Sequence, residues 1–580
     1  MPNARNRRRT GGAVRTGPNV TSQATSSPGP STPQPSRWGV FANVAFTVIL
    51  IASSVSAVGA AMFDTASSWL MTSLNPNPLM VSAVQVATMA PMFLLTIPAG
   101  ALADVVDPRR LLIAAQFGIV AVGIAFAATV SLHLETPPAL LATTFLLGAA
   151  GALAAPAWQI VTLILVQKAQ LPSAIAIDNA GYNVSRAIGP ALGGFAISAL
   201  SIKVPFWVYC VTGFVVLATL IWWRPPRRAP ESLPAERLFS AMSVGVRYAR
   251  NNRDLDATLI RAIAFFPFAA AYWALMPLIA RTQMHNGAEL YGLMMGLFGL
   301  GSIVGSLTIE ALKARLGPDL SAALGTVGTM LALALFAVAR RPEVALVASF
   351  IAGASWIVVM TTMFVSAQVA LPDWVRGRGL AIFLSVYFGA MTLGSALWGE
   401  VASLSGVPFA LTAATVGAAL GMALTWGWKL ETGATLDLAP SMRWSAPAFA
   451  QRLEDDQGPI LLIVDYRIDP KDSADFLALM QEIGHERMRD GAYAWNVYHD
   501  PDDLGRFVET SHVHSLLELK YRAARVTKAD ALIEAHMAQF LKEPPRETYL
   551  IASNRYVHAW RMRKGARARQ PAPDRRGLPQ

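Results

Sequence analysis

A chain of 580 residues that is 53% apolar and only 15% charged, with a positive mean hydropathy, lacks the charge that a water-facing surface of that size needs. Its formal charge of +11 does not indicate nucleic acid, because the basic residues stand at the chain ends and in loops between apolar runs rather than on one soluble face. The single cysteine, Cys210, lies in an apolar run, which excludes an intrachain disulfide and makes it a packing residue.

Residues 1–36 carry Arg5, Arg7, Arg8, Arg9 and Arg15 before a Ser/Thr/Pro/Gly-rich stretch with little to bury, and are expected to form a disordered basic cytoplasmic tail. The apolar run that follows is too long for a signal peptide. Twelve runs near the 20 residues a membrane-spanning helix needs begin near residues 39, 79, 110, 139, 174 and 204, then 257, 289, 319, 343, 379 and 406. They divide the chain into a six-helix half at 37–223, a cytoplasmic linker at 224–256 and a second half at 257–430. A further linker at 431–458, a soluble domain at 459–555 and a basic tail at 556–580 complete it.

Lys and Arg concentrate in the even-numbered connections, at Arg109 and Arg110, Lys168, the central linker, Lys313 and Arg315, and Arg376 and Arg378, which places those connections in the cytoplasm. Lys203, Arg281, Arg340 and Arg341 are local exceptions. An internal repeat supports the two halves. Gln167, Leu171 and Pro172 reappear as Gln368, Leu371 and Pro372; Val204-Pro205-Phe206 as Val407-Pro408-Phe409; and Phe145 to Gly148 resembles Phe350 to Gly353.

After the second run, Gly100, Asp104, Asp107, Arg109 and Arg110 crowd one short turn, where a glycine lets helices approach and the charges can latch onto neighbouring helix ends. A plain positive-inside loop is the alternative. The turn resembles the cytoplasmic signature of the major facilitator superfamily, with Val105 and Pro108 standing where that family has basic residues. The second-half counterpart, from Glu310 through Lys313 and Arg315 to Gly317, is more degenerate.

The fifth run holds Gly181, Gly189, Pro190, Gly193 and Gly194, small-residue spacing around a helix-breaking proline that predicts close packing and a bend. It resembles the superfamily's exporter signature, with Ser185 in a glycine's place. Together with Asp490 to Trp495, Gly505 to Thr510 and Arg525-Val526-Thr527 in the tail, these stretches resemble the transmembrane secretion effectors, the branch that includes the enterobactin exporter. The resemblance implies an exporter in a bacterial cytoplasmic (inner) membrane.

Ionisable groups at membrane depth are default functional candidates. Asp64, late in the first run, reads either as a solvated helix end or as a proton or substrate carboxylate. Arg186, one turn before Gly189, is too deep to snorkel and should find an acid or carbonyls, as a transport residue or as a fixed structural pair. Arg261, Glu310 and Glu400 read as interface anchors. Trp158, Trp273, Trp356, Tyr387 and Trp398 fit packing or interfacial belts, with an aromatic solute path as the alternative.

From Pro459 the pattern becomes strand, helix, two strands, helices and strand, which resembles the ferredoxin-like fold of antibiotic-biosynthesis monooxygenases. His485, His499, His512, His514 and His536 form no convincing constellation, the His512-x-His514 pair being read as pointing opposite ways. The expected fold is therefore an all-α polytopic membrane protein, twelve transmembrane helices in two six-helix pseudo-symmetric halves, plus a C-terminal α+β ferredoxin-like soluble domain. The expected function is proton-coupled export of a small molecule by alternating access, without cofactor, metal or nucleic acid; no Walker A pattern is present for ATP. Membrane lipid, protons and a second copy through the C-terminal domain are the other partners expected, and both termini are placed in the cytoplasm. A membrane-tethered monooxygenase-like enzyme and a receptor or scaffold are the rival readings.

Overall fold

The computed structural model describes residues 37–167, 170–224, 247–372, 374–430 and 457–552. The expectations for the two basic tails, for most of the central linker and for nearly all of the second linker lie outside those residues.

Helix starts follow directly from capping chemistry. A side-chain acceptor followed by Pro at the first helical position opens α2 (Pro78–Val105) at Asn77, α3 (Pro108–Ser131) at Asp107 and α4 (Pro137–Leu165) at Thr136. Asn43 caps α1 (Val44–Leu74) in the same way without the proline. The first half continues with α5 (Leu171–Ala199) and α6 (Lys203–Trp222). The second comprises α7 (Arg253–Leu278), running on as a π-helical turn at Ile279–Gln283, α8 (Ala288–Val338), α9 (Pro342–Val369), α10 (Arg376–Ser405) and α11 (Val407–Leu424).

Among the described residues ten helices are long and apolar enough to cross a membrane, two fewer than the twelve runs expected. Two elements account for the difference. Helix α8 is one 51-residue element broken at Gly317, whose φ of 76° and ψ of 174° leave the helical region before Pro318, so each arm matches one expected run. Helix α5 has the length, but Asp178, Asn179, Asn183 and Arg186 keep it out of the apolar set.

The halves share one packing plan. In the first, α1 packs on α5 and α6, and α4 on α2 and α3; in the second, α7 packs on α10 and α11, and α9 on α8. The repeated segments land in equivalent places, because Gly148 faces Thr88 and Pro91 of α2 while Gly353 faces Phe298 of α8. Between the halves α2 meets α10 and α5 meets α8, two contacts related by the same duplication.

The C-terminal domain is a four-stranded antiparallel sheet in the order β2-β3-β1-β4, built from β1 (Ile460–Arg467), β2 (Ala492–His499), β3 (Arg506–Val513) and β4 (Arg546–Ile551). Three helices, α12 (Ser473–Asp490), α13 (Leu516–Arg525) and α14 (Lys528–Met537), join its strands. Leu462, Val464, Tyr466, Phe476, Met480, Ile483 and Phe507 form its core, as alternation along β1 and β3 dictates. His512 and His514 do not diverge. Both rings lie against Tyr493, at 5.7 and 4.4 Å between centroids, His512 from β3 and His514 from the residue just past its end. No group of three or more His, Cys, Asp or Glu suited to a metal occurs among the described residues.

Candidate functional site

Asp64 stands ten residues before the end of α1, about 15 Å of helix from that end, and so is not a solvated terminus. Its side chain is exposed, yet its electrostatic neighbours are Arg186 on α5, Tyr209 on α6 and Tyr291 on α8. Those three helices belong to both halves, so the carboxylate faces the space between them.

Arg186 is exposed at mid-helix of α5. Its guanidinium lies 5.9 Å from the Tyr182 ring centroid and 5.7 Å from that of Trp273, which comes from α7 of the opposite half. Of the acid or carbonyls expected of it, it meets the field of the acid Asp64, without a hydrogen bond to it among the described residues, and its other partners are aromatic faces. Trp273 in turn packs edge-on against Phe298 at 4.7 Å and Trp356 at 5.6 Å, and Trp356 against Tyr387 at 6.1 Å. Three of the five aromatic residues singled out from sequence thus form one wall facing Arg186. Trp398 instead donates its indole N–H to the Pro267 carbonyl at 2.8 Å, and Trp158 stays in α4 away from this wall.

Glycines of α5 build the walls around this point. Gly181, Gly189 and Gly193 face Ser54, Val58 with Ala61, and Met62 with Thr65 of α1, while Ser185 donates to the Ser54 carbonyl at 2.9 Å. Gly194 turns the other way, across the halves. A β-carbon placed there would lie 2.7 Å from the Gly292 α-carbon of α8, so only glycine on both sides permits that approach. Pro190 adds its carbonyl to the same contact.

The end of the bundle nearest that contact is closed by a cation that breaks the charge pattern in sequence. Arg281, in the π-helical turn after α7, donates to Thr72 Oγ1 at 2.9 Å and Ser73 Oγ at 2.6 Å at the end of α1. The same guanidinium lies 5.5 Å over Trp69, which stacks on Tyr291 at 6.3 Å. Lys203 is likewise used locally, donating to the Ser131 carbonyl at 3.0 Å beside His133. Two exceptions to the positive-inside pattern are therefore helix-end caps.

At the opposite end the signature turn is partly resolved into roles. Asp107 caps α3 by accepting from the Arg110 amide at 2.9 Å, and Arg109 donates to the Leu220 and Ile221 carbonyls at the end of α6, at 3.0 and 2.8 Å. Gly100 has open space where a β-carbon would be, so it does not serve helix approach in this conformation, and the Asp104 side chain lies outside the described residues. Arg261 is no interface anchor. It is buried and paired with Asp319 at 2.8 Å, just past the Gly317 break, a partner the sequence hid because 58 positions separate them. Glu310 and Glu400 are exposed near helix ends, as anchors would be.

Two duplicated helical halves with a charged and aromatic centre between them define a membrane transporter. Solved structures agree at the level of fold. The nucleoside transporter NupG superposes over 66% of this chain and 99% of that one with a TM-score of 0.58 and 11% identity, and a POT family transporter in complex with 5-aminolevulinic acid over 68% and 97% with a TM-score of 0.55 and 10% identity. The enterobactin exporter EntS of Salmonella choleraesuis (strain SC-B67) is 24% identical over 370 residues, 62% of this chain and 86% of that protein. The staphyloferrin A transporter of Staphylococcus aureus (strain NCTC 8325 / PS 47) is 23% identical over 252 residues, 43% and 63% of the two chains. Residues 35–556 match the family described as transmembrane secretion effector, and the chain belongs to it. It is a multi-pass membrane protein of the major facilitator type, a secondary transporter that exports a small molecule and not an enzyme.

Proposed function

We propose that this protein exports an anionic, siderophore-class small molecule, with Arg186 as the substrate contact and Asp64 as the proton carrier. The observation that carries the reading is Arg186 held between Tyr182 and Trp273, exposed, facing Asp64 and without a hydrogen-bonded acid among the described residues. A cation that faces an acid without being hydrogen-bonded to it can still attract a substrate anion, and the aromatic wall suits a planar or amphipathic body. The siderophore class is carried over from the two relatives' names. Protonation of Asp64 would remove the charge that competes for Arg186 and so favour binding of the substrate anion, while loss of that proton would favour its release, which links proton access to substrate occupancy. The Lys and Arg bias supports cytoplasmic termini, and the turn at Gly100 to Arg110 would serve as gate on that side. The sheet face opposite the helices, with Leu461, Ile463 and Val508 half-buried and Tyr498 and Leu550 exposed, supports self-association.

The test is efflux of enterobactin and of staphyloferrin A from cells carrying the chain or its variants. Arg186→Ala should lower efflux at least about tenfold, since a desolvated charge contact contributes on the order of 2 kcal/mol. Asp64→Asn should leave downhill movement of the substrate while abolishing its dependence on the pH gradient. Efflux that stays fully gradient-dependent in Asp64→Asn removes Asp64 as carrier, and efflux of neither compound by the intact chain removes the substrate class.

A further inference from the structure

The soluble domain is not a free appendage. Three of its residues, Arg489, Glu518 and Arg525, meet two elements of the second membrane half at the end opposite Arg281. Arg525 lays its guanidinium 4.4 Å over the Trp374 ring, in the turn between α9 and α10. Arg489 lies 5.6 Å over Tyr248, in the short helical stretch that leads into α7. The two aromatic rings meet edge-on at 5.5 Å and 88°. Glu518 accepts from Arg247 at 2.7 Å and from Arg525 at 2.9 Å, joining the membrane side to the domain side.

Each cation is fixed from behind. Arg489 is bonded to Asp490 at 2.9 Å and Asp530 at 2.7 Å, and Arg525 also donates to the Asp490 carbonyl at 2.9 Å. Tyr248 is 1% and Arg525 6% exposed, so the contact is desolvated, the condition under which cation–aromatic pairs contribute most. On the membrane side, Asn252 caps α7 and donates to the Ala370 carbonyl at 2.9 Å, which ties the gripped stretch to the end of α9. The contacts described here therefore all fall on one half, among the described residues, and the gripped turn leads straight into α10, the helix that packs on α2 of the other half. Helix α2 ends in the turn that carries Gly100 to Arg110.

We propose that the C-terminal domain is a brace docked on the second half, whose Arg525–Trp374 and Arg489–Tyr248 clasp rigidifies the start of α10 and which stays docked while the halves rock. The brace rests on the transporter reading only for its consequence, not for its existence. Two measurements on the full chain in membranes test it. Arg247→Cys with Glu518→Cys, bridged by a short bis-methanethiosulfonate reagent, should cross-link, the native Cys210 being only 4% exposed. Efflux of enterobactin should then differ less than about twofold before and after reduction of the bridge. Arg525→Ala, and Trp374→Ala, which lies outside the domain and leaves its fold intact, should each raise amide exchange over residues 375–380 by at least about tenfold.

Unchanged exchange in Trp374→Ala overturns the bracing role, and failure to cross-link overturns the docking. A cross-link that halts efflux until it is reduced overturns the claim that the domain stays docked. If the intact chain moves no enterobactin, the substrate reading fails by itself, while cross-linking and exchange still decide the brace.

Discussion

Glu486 shows how far a single side chain in this protein can depart from its ordinary chemistry. It is buried in α12 with both carboxyl oxygens unpartnered among the described residues, and burial, reinforced by the Asp530 charge, pushes its pKa up to about 9. It is therefore a neutral acid in the folded domain and a carboxylate in the unfolded chain above about pH 4.5. Because the folded value is the raised one, its contribution is fully present below the unfolded pKa and is lost as pH rises toward 9. In that window stability should fall by as much as about tenfold in the folding constant per pH unit. Amide exchange of Ser473–Asp490 in the full chain, corrected for intrinsic base catalysis, should therefore speed up between pH 6 and 8.5, and Glu486→Gln should flatten the dependence. An unaltered slope in Glu486→Gln would show that Glu486 is not the group whose titration sets it.

At the scale of elements, much was legible because the signals are local. Asn77-Pro78, Asp107-Pro108 and Thr136-Pro137 each combine a capping acceptor with a pre-set φ, and each opens a helix where expected. The domain's strands were readable from period-two alternation for the same reason. What was not legible depends on which helices become neighbours. Arg186 is as close to Trp273 as to Tyr182 one turn away, yet only the second is nearby in sequence. Arg261 finds Asp319 only because Gly317 breaks α8 and turns the next residues back toward α7. Arg281 contradicts the charge rule in sequence and is explained only by the hydroxyls of α1 beneath it. The charge rule counts loop residues, whereas this cation is consumed by a cap.

At the scale of the whole molecule, two contacts that resemble each other chemically sit at opposite ends and should behave oppositely. The clasp of Arg525 on Trp374 lies within one moving body, whereas Arg281 on Trp69, Thr72 and Ser73 joins the two halves. Transport by rocking requires the halves to part at the Arg281 end once per cycle, so the approach of Gly194 to Gly292 beside it must also open. Bridging Ser73→Cys to Arg281→Cys with a short reducible reagent should hold that end shut and stop export, with recovery on reduction. Arg281→Ala alone should shift the population toward the form open at that end without abolishing transport, because a few hydrogen bonds bias a two-state equilibrium and do not create it. The Arg281 side chain reaches Ser73 Oγ at 2.6 Å, so a reagent about as long as that side chain joins the two cysteines with little rearrangement. Export that continued undiminished through the bridged protein would mean that the halves do not separate there, and the alternating-access reading of the duplicated fold would have to be replaced by movement of single helices around a fixed core.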